Sequence, residues 1–218
     1  MKYIIMCGGQ YDKWNEPKHL TRINGEPIVA RTIRLLRENG VEDLAISSND
    51  PRFEQFGIPV LRHDNPYRLP KDSDAKTPWL DAFYPMATPV CYIFGDVVFS
   101  PEAIKTIVET KTDGIEFFAS AKPLPPIYPK RWAEPFAFKV ADTEHFFKGI
   151  EQTKKLDEEG QFKRQPVSWE LWQVIKGTPF NVVDYTNYTV INDYTCDIDT
   201  PEDIKLFERI LKRKDTRR

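Results

Sequence analysis

This chain of 218 residues has few cysteines and histidines, and its net charge is small. Three widely spaced cysteines argue against a disulfide framework or a zinc site and favour a reducing compartment. A formal net charge of -2 gives no indication of a nucleic-acid or membrane partner. Apolar runs stay well short of the roughly 18 residues that a membrane span needs, and no signal-peptide pattern precedes the first strand. We therefore predict a cytoplasmic protein that binds neither nucleic acid nor membranes.

The first 20 residues are the most informative about function. A short apolar strand, Tyr3 to Met6, runs into two glycines, which let backbone N–H groups approach an anion with no Cβ in the way. Pro17 fixes the local backbone just before Lys18, so the Lys18 ammonium is held in a set direction. Backbone amides and one placed cation are how proteins hold a nucleoside triphosphate. The alternative is a plain tight turn, which does not account for the Pro-Lys pair and the helix that follow in order.

Strands and helices alternate through the first half of the chain, which is typical of a parallel sheet with helices on both faces. A segment with five prolines, Lys122 to Pro135, is predicted as an extended, aromatic-rich excursion inserted into the domain. We predict a single α/β domain with a three-layer α/β/α, Rossmann-like architecture. The predicted strands are residues 3–6, 43–48, 57–61, 90–94, 115–121, 136–140 and 179–183, and the predicted helices are residues 27–38, 77–87, 101–109, 142–159, 167–175 and 201–211.

Carboxylates follow a buried strand and precede the last helix. Asp96 comes directly after a buried strand, at the sheet edge where α/β proteins bind ligands, and it suits Mg²⁺. The alternative for Asp96 is the cap of a turn. Asp197 and Asp199 alternate along an extended segment, so both side chains can point to one side and need a counter-charge such as a metal. Their alternative is an acidic turn facing solvent. Thr200 is predicted to cap the helix that begins at Pro201, and the two acids after it are predicted to be structural.

Together these segments resemble the nucleotidyltransferase family with a GT-A-like Rossmann fold. Its members include the molybdenum cofactor guanylyltransferases and the cytidylyltransferases of Kdo, sialic acid and phosphocholine. The resemblance spans nearly the whole chain and rests on Gly8-Gly9, Pro17-Lys18 with Leu20, Asn24 to Ile28, Gly40-Val41, Gly95-Asp96 and Asp199 to Asp203. The chain departs from the family at two loop positions, where Tyr11 replaces a glycine and Lys13 replaces an arginine. Either the loop must then curve differently or Tyr11 must accept an unusual backbone conformation. Lys13 keeps the charge but loses the guanidinium fork.

The resemblance implies transfer of a nucleoside monophosphate, CMP being favoured, from an NTP to a small phosphorylated acceptor, with release of pyrophosphate. Surface-polysaccharide synthesis is the implied setting. Lys18 would neutralise charge at the α-phosphate and Lys13 would assist the leaving pyrophosphate. Mg²⁺ or Mn²⁺ would be held by Asp96 with Asp197, Asp199 or both. Residues 1–121 would form the nucleotide-binding half, with contacts from Cys7, Gly8, Gly9, Gln10, Ser73 and Asp74.

Residues 122–218 would bind the acceptor and supply the second set of metal carboxylates. Within the excursion, Lys130, Arg131 and Trp132 combine cations with an aromatic ring, so they either bind the acceptor phosphate or pack into a loop of their own. Trp169 and Trp172 are expected in the core or on a dimer face, and His19 on the surface. The sequence leaves the oligomeric state open, a homodimer included.

Two other functions remain open at the level of sequence. A GT-A glycosyltransferase would use a similar sheet and nucleotide, but it would be expected to have an Asp-x-Asp motif where this chain has Asp96-Val97-Val98. A nucleotide-binding domain without turnover is the other alternative, which the changed loop favours and the retained acids oppose. Release of pyrophosphate would exclude it.

Overall fold

The computed structural model describes residues 1–8, 14, 16–62, 79–121 and 133–215, with side chains up to residue 212. The strands are β1 (Lys2–Met6), β2 (Arg22–Ile23), β3 (Glu26–Pro27), β4 (Leu44–Ser47), β5 (Val60–Leu61), β6 (Val90–Phe94), β7 (Val97–Val98), β8 (Ile115–Ser120), β9 (Pro135–Val140), β10 (Thr189–Ile191) and β11 (Cys196–Asp197). The helices are α1 (Ile28–Glu38), α2 (Pro101–Glu109), α3 (Thr143–Glu158), α4 (Ser168–Lys176) and α5 (Pro201–Asp215).

A seven-stranded sheet forms the centre of the fold, in the order β10-β8-β9-β6-β1-β4-β5. β1 pairs in parallel with both β4 and β6, whereas β9 runs antiparallel to its neighbours β6 and β8. All of β6 is buried, as is β1 from Tyr3 to Met6. Continuous apolar strands of this kind belong in the middle of a sheet that is covered on both faces. The sheet and its helices confirm the predicted single-domain α/β/α fold with a mostly parallel sheet.

The helices follow the apolar periodicity of the sequence closely. In α1 the buried side chains include Val29, Ile33 and Leu36, which recur at the spacing of one helical face. α2 begins where predicted, because the Ser100 hydroxyl accepts a hydrogen bond from the backbone N–H of Ala103 at 2.9 Å. No helix among the described residues is long and apolar enough to cross a membrane.

Two predicted elements are wrong. Residues 179–183 do not form a strand, because the carbonyl groups of Pro179 and Val182 accept hydrogen bonds from the Gln173 side chain instead of a neighbouring strand. The strand of this region is β10, a few residues later. In the predicted helix 77–87, the residues from 79 onward contain only a short 3-10 turn, Leu80–Ala82. Pro85 disfavours helical backbone in the residue before it, and burial of Phe83 against the core fixes the chain in this course.

Aromatic side chains fill the core between the sheet and helices α3 and α4. Phe83 lies edge-to-face against Phe146, with ring centroids 5.1 Å apart, and Phe117 lies edge-to-face against Trp169 at 5.0 Å. Such pairs add to the stabilisation that burial of the rings provides. Trp169 and Trp172 are only 4% and 3% exposed. Both tryptophans therefore lie in the core, which is one of the two positions expected for them.

Helices α3 and α4 are in close contact at Gly149. A Cβ added there would lie 2.5 Å from Cγ1 of Ile175 in α4. A real Cβ contact of that length does not occur, so the two helices would have to separate or the Ile175 side chain would have to move. Glycine is therefore required here for packing, although it lowers the intrinsic stability of the helix.

We expect the Gly149→Ala variant to lower the free energy of unfolding by about 1–2 kcal/mol, because overpacking strain exceeds the gain in helix propensity. Urea unfolding measures the change. Ile175→Ala should rescue it, with a favourable coupling of about 1 kcal/mol in the double-mutant cycle. Gly114→Ala is the matched control, since a Cβ there meets nothing within 4 Å. Equal stability of the Gly149 and Gly114 variants would contradict the proposed contact.

Candidate active site

The site lies at the carboxyl ends of β1 and β6, where the order of strands in the sheet reverses direction. Cys7 and Gly8 continue from β1, and Gly95 and Asp96 continue from β6 beside them. A Cβ at Gly95 would lie 2.4 Å from the carbonyl oxygen of Met6, so the chain can turn here only at a glycine. Burial, with the nearby Asp96 carboxylate, raises the pKa of the Cys7 thiol well above its usual range. Cys7 is thus a packing residue at this point, not a thiolate. Open α/β sheets bind their ligands where the order of strands reverses, as it does here between β1 and β6.

An ion pair between Lys18 and Asp96 joins the loop after β1 to the end of β6. The Lys18 Nζ lies 2.6 Å from Oδ2 of Asp96 and donates a hydrogen bond of 3.1 Å to the carbonyl of Ile198. Burial disfavours the charged form of Lys18, but Asp96, Asp197 and Asp199 outweigh it and raise the Lys18 pKa above its ordinary value. Burial likewise opposes ionisation of Asp96, but the Lys18 charge outweighs it and lowers the Asp96 pKa. Both groups therefore carry their charges at neutral pH.

The segment that carries the late acids is docked onto the end of β6 by backbone pairing. β11 pairs antiparallel with β7, and the N–H of Ile198 donates to the carbonyl of Asp96 at 3.0 Å. Further back, Asp193 accepts hydrogen bonds from the Ser100 hydroxyl and from the backbone N–H of Thr195. The Thr195 hydroxyl in turn accepts from the backbone N–H of Ser100 at 3.0 Å. These bonds hold residues 193–195 against the start of α2.

Three carboxylates converge beside the ion pair. Glu134, Asp197 and Asp199 each offer one oxygen, and these oxygens lie within 4.8 Å of one another. Oxygen donors at this spacing suit a hard divalent cation such as Mg²⁺. Asp197 and Asp199 therefore lie together, as the alternation in the sequence predicts. Asp96 lies beside them and is paired with Lys18, so its role as a metal ligand stays a prediction.

Glu134 is the site residue that sequence reasoning missed. It is buried to 7% exposure, and its backbone is held by two hydrogen bonds with Ser120, of 2.7 and 2.8 Å. The indole N–H of Trp169 fixes the preceding residue by donating to the Ala133 carbonyl at 3.2 Å. The buried tryptophan in α4 thus helps to position a carboxylate of the site.

The direction of β9 explains why Glu134 was not found. A strand that runs antiparallel to its neighbours begins at the edge where those neighbours end. The residue just before β9 therefore lies with the carboxyl ends of β1 and β6. The sequence shows a strand there but not its direction, and Glu134 sits in the proline-rich segment, for which the sequence leaves open either acceptor binding or packing into a loop of its own.

His19 is buried, which corrects the expectation that it lies on the surface. The residue is 2% exposed, and its ring stands edge-to-face against Phe53, with centroids 6.0 Å apart. Its Cδ2 is 3.0 Å from where a Cβ of Gly95 would be. Burial lowers the His19 pKa to about 4, with Lys18 adding to the effect and Asp96 opposing it. His19 is therefore neutral at neutral pH and supports the turn beneath Lys18 and Asp96.

The start of α5 is stabilised by Asp203, not by the Thr200 hydroxyl as an acceptor. The Asp203 carboxylate accepts hydrogen bonds from the backbone N–H groups of Asp199 and Thr200, at 2.9 and 2.8 Å. The Thr200 hydroxyl also donates to it at 3.1 Å, which reverses the predicted cap. Asp203 has a structural role, as predicted, because its carboxylate holds the backbone of Asp199 through a hydrogen bond.

Several predicted site residues lie outside the described residues, and their roles stay predictions. These are the loop residues Gly9, Gln10, Tyr11 and Lys13, the base and ribose candidates Ser73 and Asp74, and the acceptor candidates Lys130, Arg131 and Trp132.

Solved structures of nucleotidyltransferases share this fold. A CMP-2-keto-3-deoxy-manno-octonic acid synthetase complexed with CTP is 15% identical, with a TM-score of 0.56 over 98% of this chain and 100% of that one. The inositol-1-phosphate CTP transferase from T. maritima is 17% identical, with a TM-score of 0.56 over 96% and 95%. A Bacillus anthracis protein provisionally named glucose-1-phosphate thymidylyltransferase is 14% identical, with a TM-score of 0.56 over 96% and 94%. At these identities the likeness shows the fold alone.

Sequence comparison gives the family. No curated protein matches the chain. The model of the MobA-like NTP transferase domain, however, matches residues 3–146, which include the ends of β1 and β6 and both members of the Lys18–Asp96 pair. This confirms the predicted nucleotidyltransferase class: the chain belongs to the MobA-like NTP transferase family.

Proposed function

We propose that this nucleotidyltransferase transfers CMP from CTP to a small phosphorylated acceptor and releases pyrophosphate, in the synthesis of a surface polysaccharide. The observation that carries the proposal is the Lys18 ammonium, fixed by Asp96 and the Ile198 carbonyl at the reversal point of the sheet, beside three carboxylates. Two of the similar structures are named for CTP or CMP, which supports cytidine. The third is named for thymidylyl transfer, so the base needs its own test.

The reaction needs positioning and charge neutralisation more than proton transfer. An oxygen of the acceptor phosphate, already ionised at neutral pH, forms a bond to the α-phosphorus of CTP. The bond from that phosphorus to the bridging oxygen breaks, and the electron pair leaves with pyrophosphate. Lys18 is held charged by its carboxylate neighbours and offsets the negative charge that gathers at the α-phosphate. Asp96 orients Lys18 and keeps it protonated.

The carboxylates fit a divalent cation. A triphosphate brought to Glu134, Asp197 and Asp199 would meet three negative charges, so a cation between them is needed to offset the repulsion. Mg²⁺ or Mn²⁺ held there would neutralise phosphate charge and template the substrates. Asp96 is expected to contribute to the same ion.

Two further parts of the proposal rest on the sequence. We assign residues 1–121 to the nucleotide and residues 122–218 mainly to the acceptor. We also assign the protein to the cytoplasm, which agrees with three buried cysteine thiols: Cys7, Cys91 and Cys196.

We expect CTP to raise the melting temperature more than UTP, GTP, ATP or dTTP does, and more with Mg²⁺ than without, because a ligand of the native state stabilises it by mass action. Differential scanning fluorimetry measures the shifts. A larger shift with another nucleotide would replace cytidine in the proposal. Equal shifts with all five would show that the protein does not select a base.

We expect Lys18→Ala to lower kcat/KM by about 10²–10³-fold, because it removes one preorganised stabiliser of the transition state. Pyrophosphate release from CTP, with phosphocholine, inositol 1-phosphate and glucose 1-phosphate as acceptors, measures the rate. Lys105→Ala is the matched control, since Lys105 is an exposed lysine that pairs only with its helical neighbour Glu109 among the described residues. Thermal unfolding of each variant separates loss of catalysis from loss of fold. A folded Lys18 variant with the wild-type rate would refute the assignment.

We expect Glu134→Gln and Asp197→Asn to raise the Mg²⁺ concentration for half-maximal activity by about tenfold or more, because each removes a charged oxygen ligand. A Mg²⁺ titration of pyrophosphate release measures it. Asp113→Asn is the control, because Asp113 is exposed and just precedes β8, which begins at the opposite edge of the sheet. An unchanged Mg²⁺ requirement in the Glu134 variant would remove that residue from the metal site.

A further inference from the structure

An open groove lies along the outer surface of α3, away from the carboxyl edge of the sheet. It has a volume of about 780 Å³ and is bordered by Met86, Ala87 and the half-buried ring of Phe147. The opposite side of the helix carries its buried residues, Phe146 and Ile150 among them. The groove is therefore formed between the outward face of α3 and the loop that precedes β6.

Four charged side chains form a line on this outward face. Glu144, Lys148, Glu151 and Lys155 follow one another at spacings of four, three and four residues, which places them in a single stripe along the helix. Their side chains are 79%, 72%, 74% and 68% exposed. The signs alternate along the stripe: negative, positive, negative, positive.

This order of charges is complementary to itself in the antiparallel direction. If a second α3 lies against the first about a two-fold axis at the helix midpoint, Glu144 faces Lys155 of the second copy and Lys148 faces its Glu151. The symmetry repeats each contact, so four opposite-charge pairs form and no like charges meet. A parallel arrangement in register would instead bring each charge against its own kind.

We propose that the α3 stripe and its groove bind a second copy of this chain, with the two α3 helices antiparallel about a two-fold axis. The half-buried Phe147, together with Met86, supplies apolar surface that the second copy covers beside the stripe. The charges on the stripe make contacts within one copy, such as Lys148 with Glu144 at 2.5 Å and Lys154 with Glu151 at 3.3 Å. These exposed contacts are weak and can exchange for contacts across the interface. The proposal uses none of the site residues and does not depend on the proposed function.

Sedimentation of the full chain over a range of concentrations, at low and high salt, tests the dimer. We expect a mass of twice 25.5 kDa as concentration rises, and weaker association at high salt. Glu144→Lys alone and Lys155→Glu alone should each raise the dissociation constant of the dimer about tenfold or more, since each places like charges together twice per dimer. The double variant should recover the wild-type constant.

A mixture of the two single variants is the sharpest test. In a mixed dimer, the two substituted positions face each other with opposite charges, and the unchanged Lys155 of one copy faces the unchanged Glu144 of the other. We therefore expect the mixture to dimerise at concentrations where each variant alone stays monomeric. Urea unfolding of each variant confirms that it is folded.

Three results would overturn the proposal. The first is a wild-type chain that stays monomeric at every concentration, which would leave the groove to a different partner. The second is a single variant that dimerises as well as the wild type, which would place the dimer contact on another surface. The third is a mixture of single variants that stays monomeric, which would exclude the antiparallel pairing.

Discussion

The ion pair between Lys18 and Asp96 connects three parts of the chain that are far apart in sequence. Lys18 comes from the loop after the first strand, Asp96 from the end of β6, and the Ile198 carbonyl from the segment before the last helix. Each partner would be costly to bury alone, because desolvation disfavours both charges. Together they fix one another, and the rest of the site is arranged around them.

The residues around this ion pair contribute through their shape as much as through their charge. Gly95 lets the end of β6 come within contact of Met6, and the neutral ring of His19 fills the space beside it. Asp203 fixes the backbone of Asp199 without joining the carboxylate group itself. Packing and backbone hydrogen bonds thus set the position of the charged groups, and the charged groups then stabilise one another.

Much of the fold and part of the site could be predicted from the sequence. Buried strands have continuous apolar runs, so β1 and β6 could be predicted, and with them Asp96 after the end of β6. The Pro17-Lys18 pair identified Lys18 in the loop after β1. Local patterns also fixed α2, which begins at the Ser100 cap as predicted. Residues 179–183 have the same apolar character as a strand, but their carbonyls are satisfied by Gln173, a contact that no local pattern contains.

What escaped prediction depends on pairing between distant segments. The direction of β9 is set by its two neighbours in the sheet, and only this direction brings Glu134 to the site. His19 was expected on the surface because its burial depends on Phe53 and Gly95, which are distant in sequence. Local patterns report which residues are apolar or capped, whereas the neighbours of a residue follow from the topology.

The hydrogen bonds between Ser120 and Glu134 join the two ends of the segment between these residues. The chain leaves the sheet and returns to it at one point, so the length of what lies between is decoupled from the register of β8 and β9. Doubling the length of a closed loop costs only about 0.6 kcal/mol in chain entropy. Residues could therefore be inserted or removed between Ser120 and Glu134 without disturbing the Glu134 carboxylate. The segment between Ser120 and Glu134 can therefore vary in length and sequence while the carboxylates of the site keep their positions.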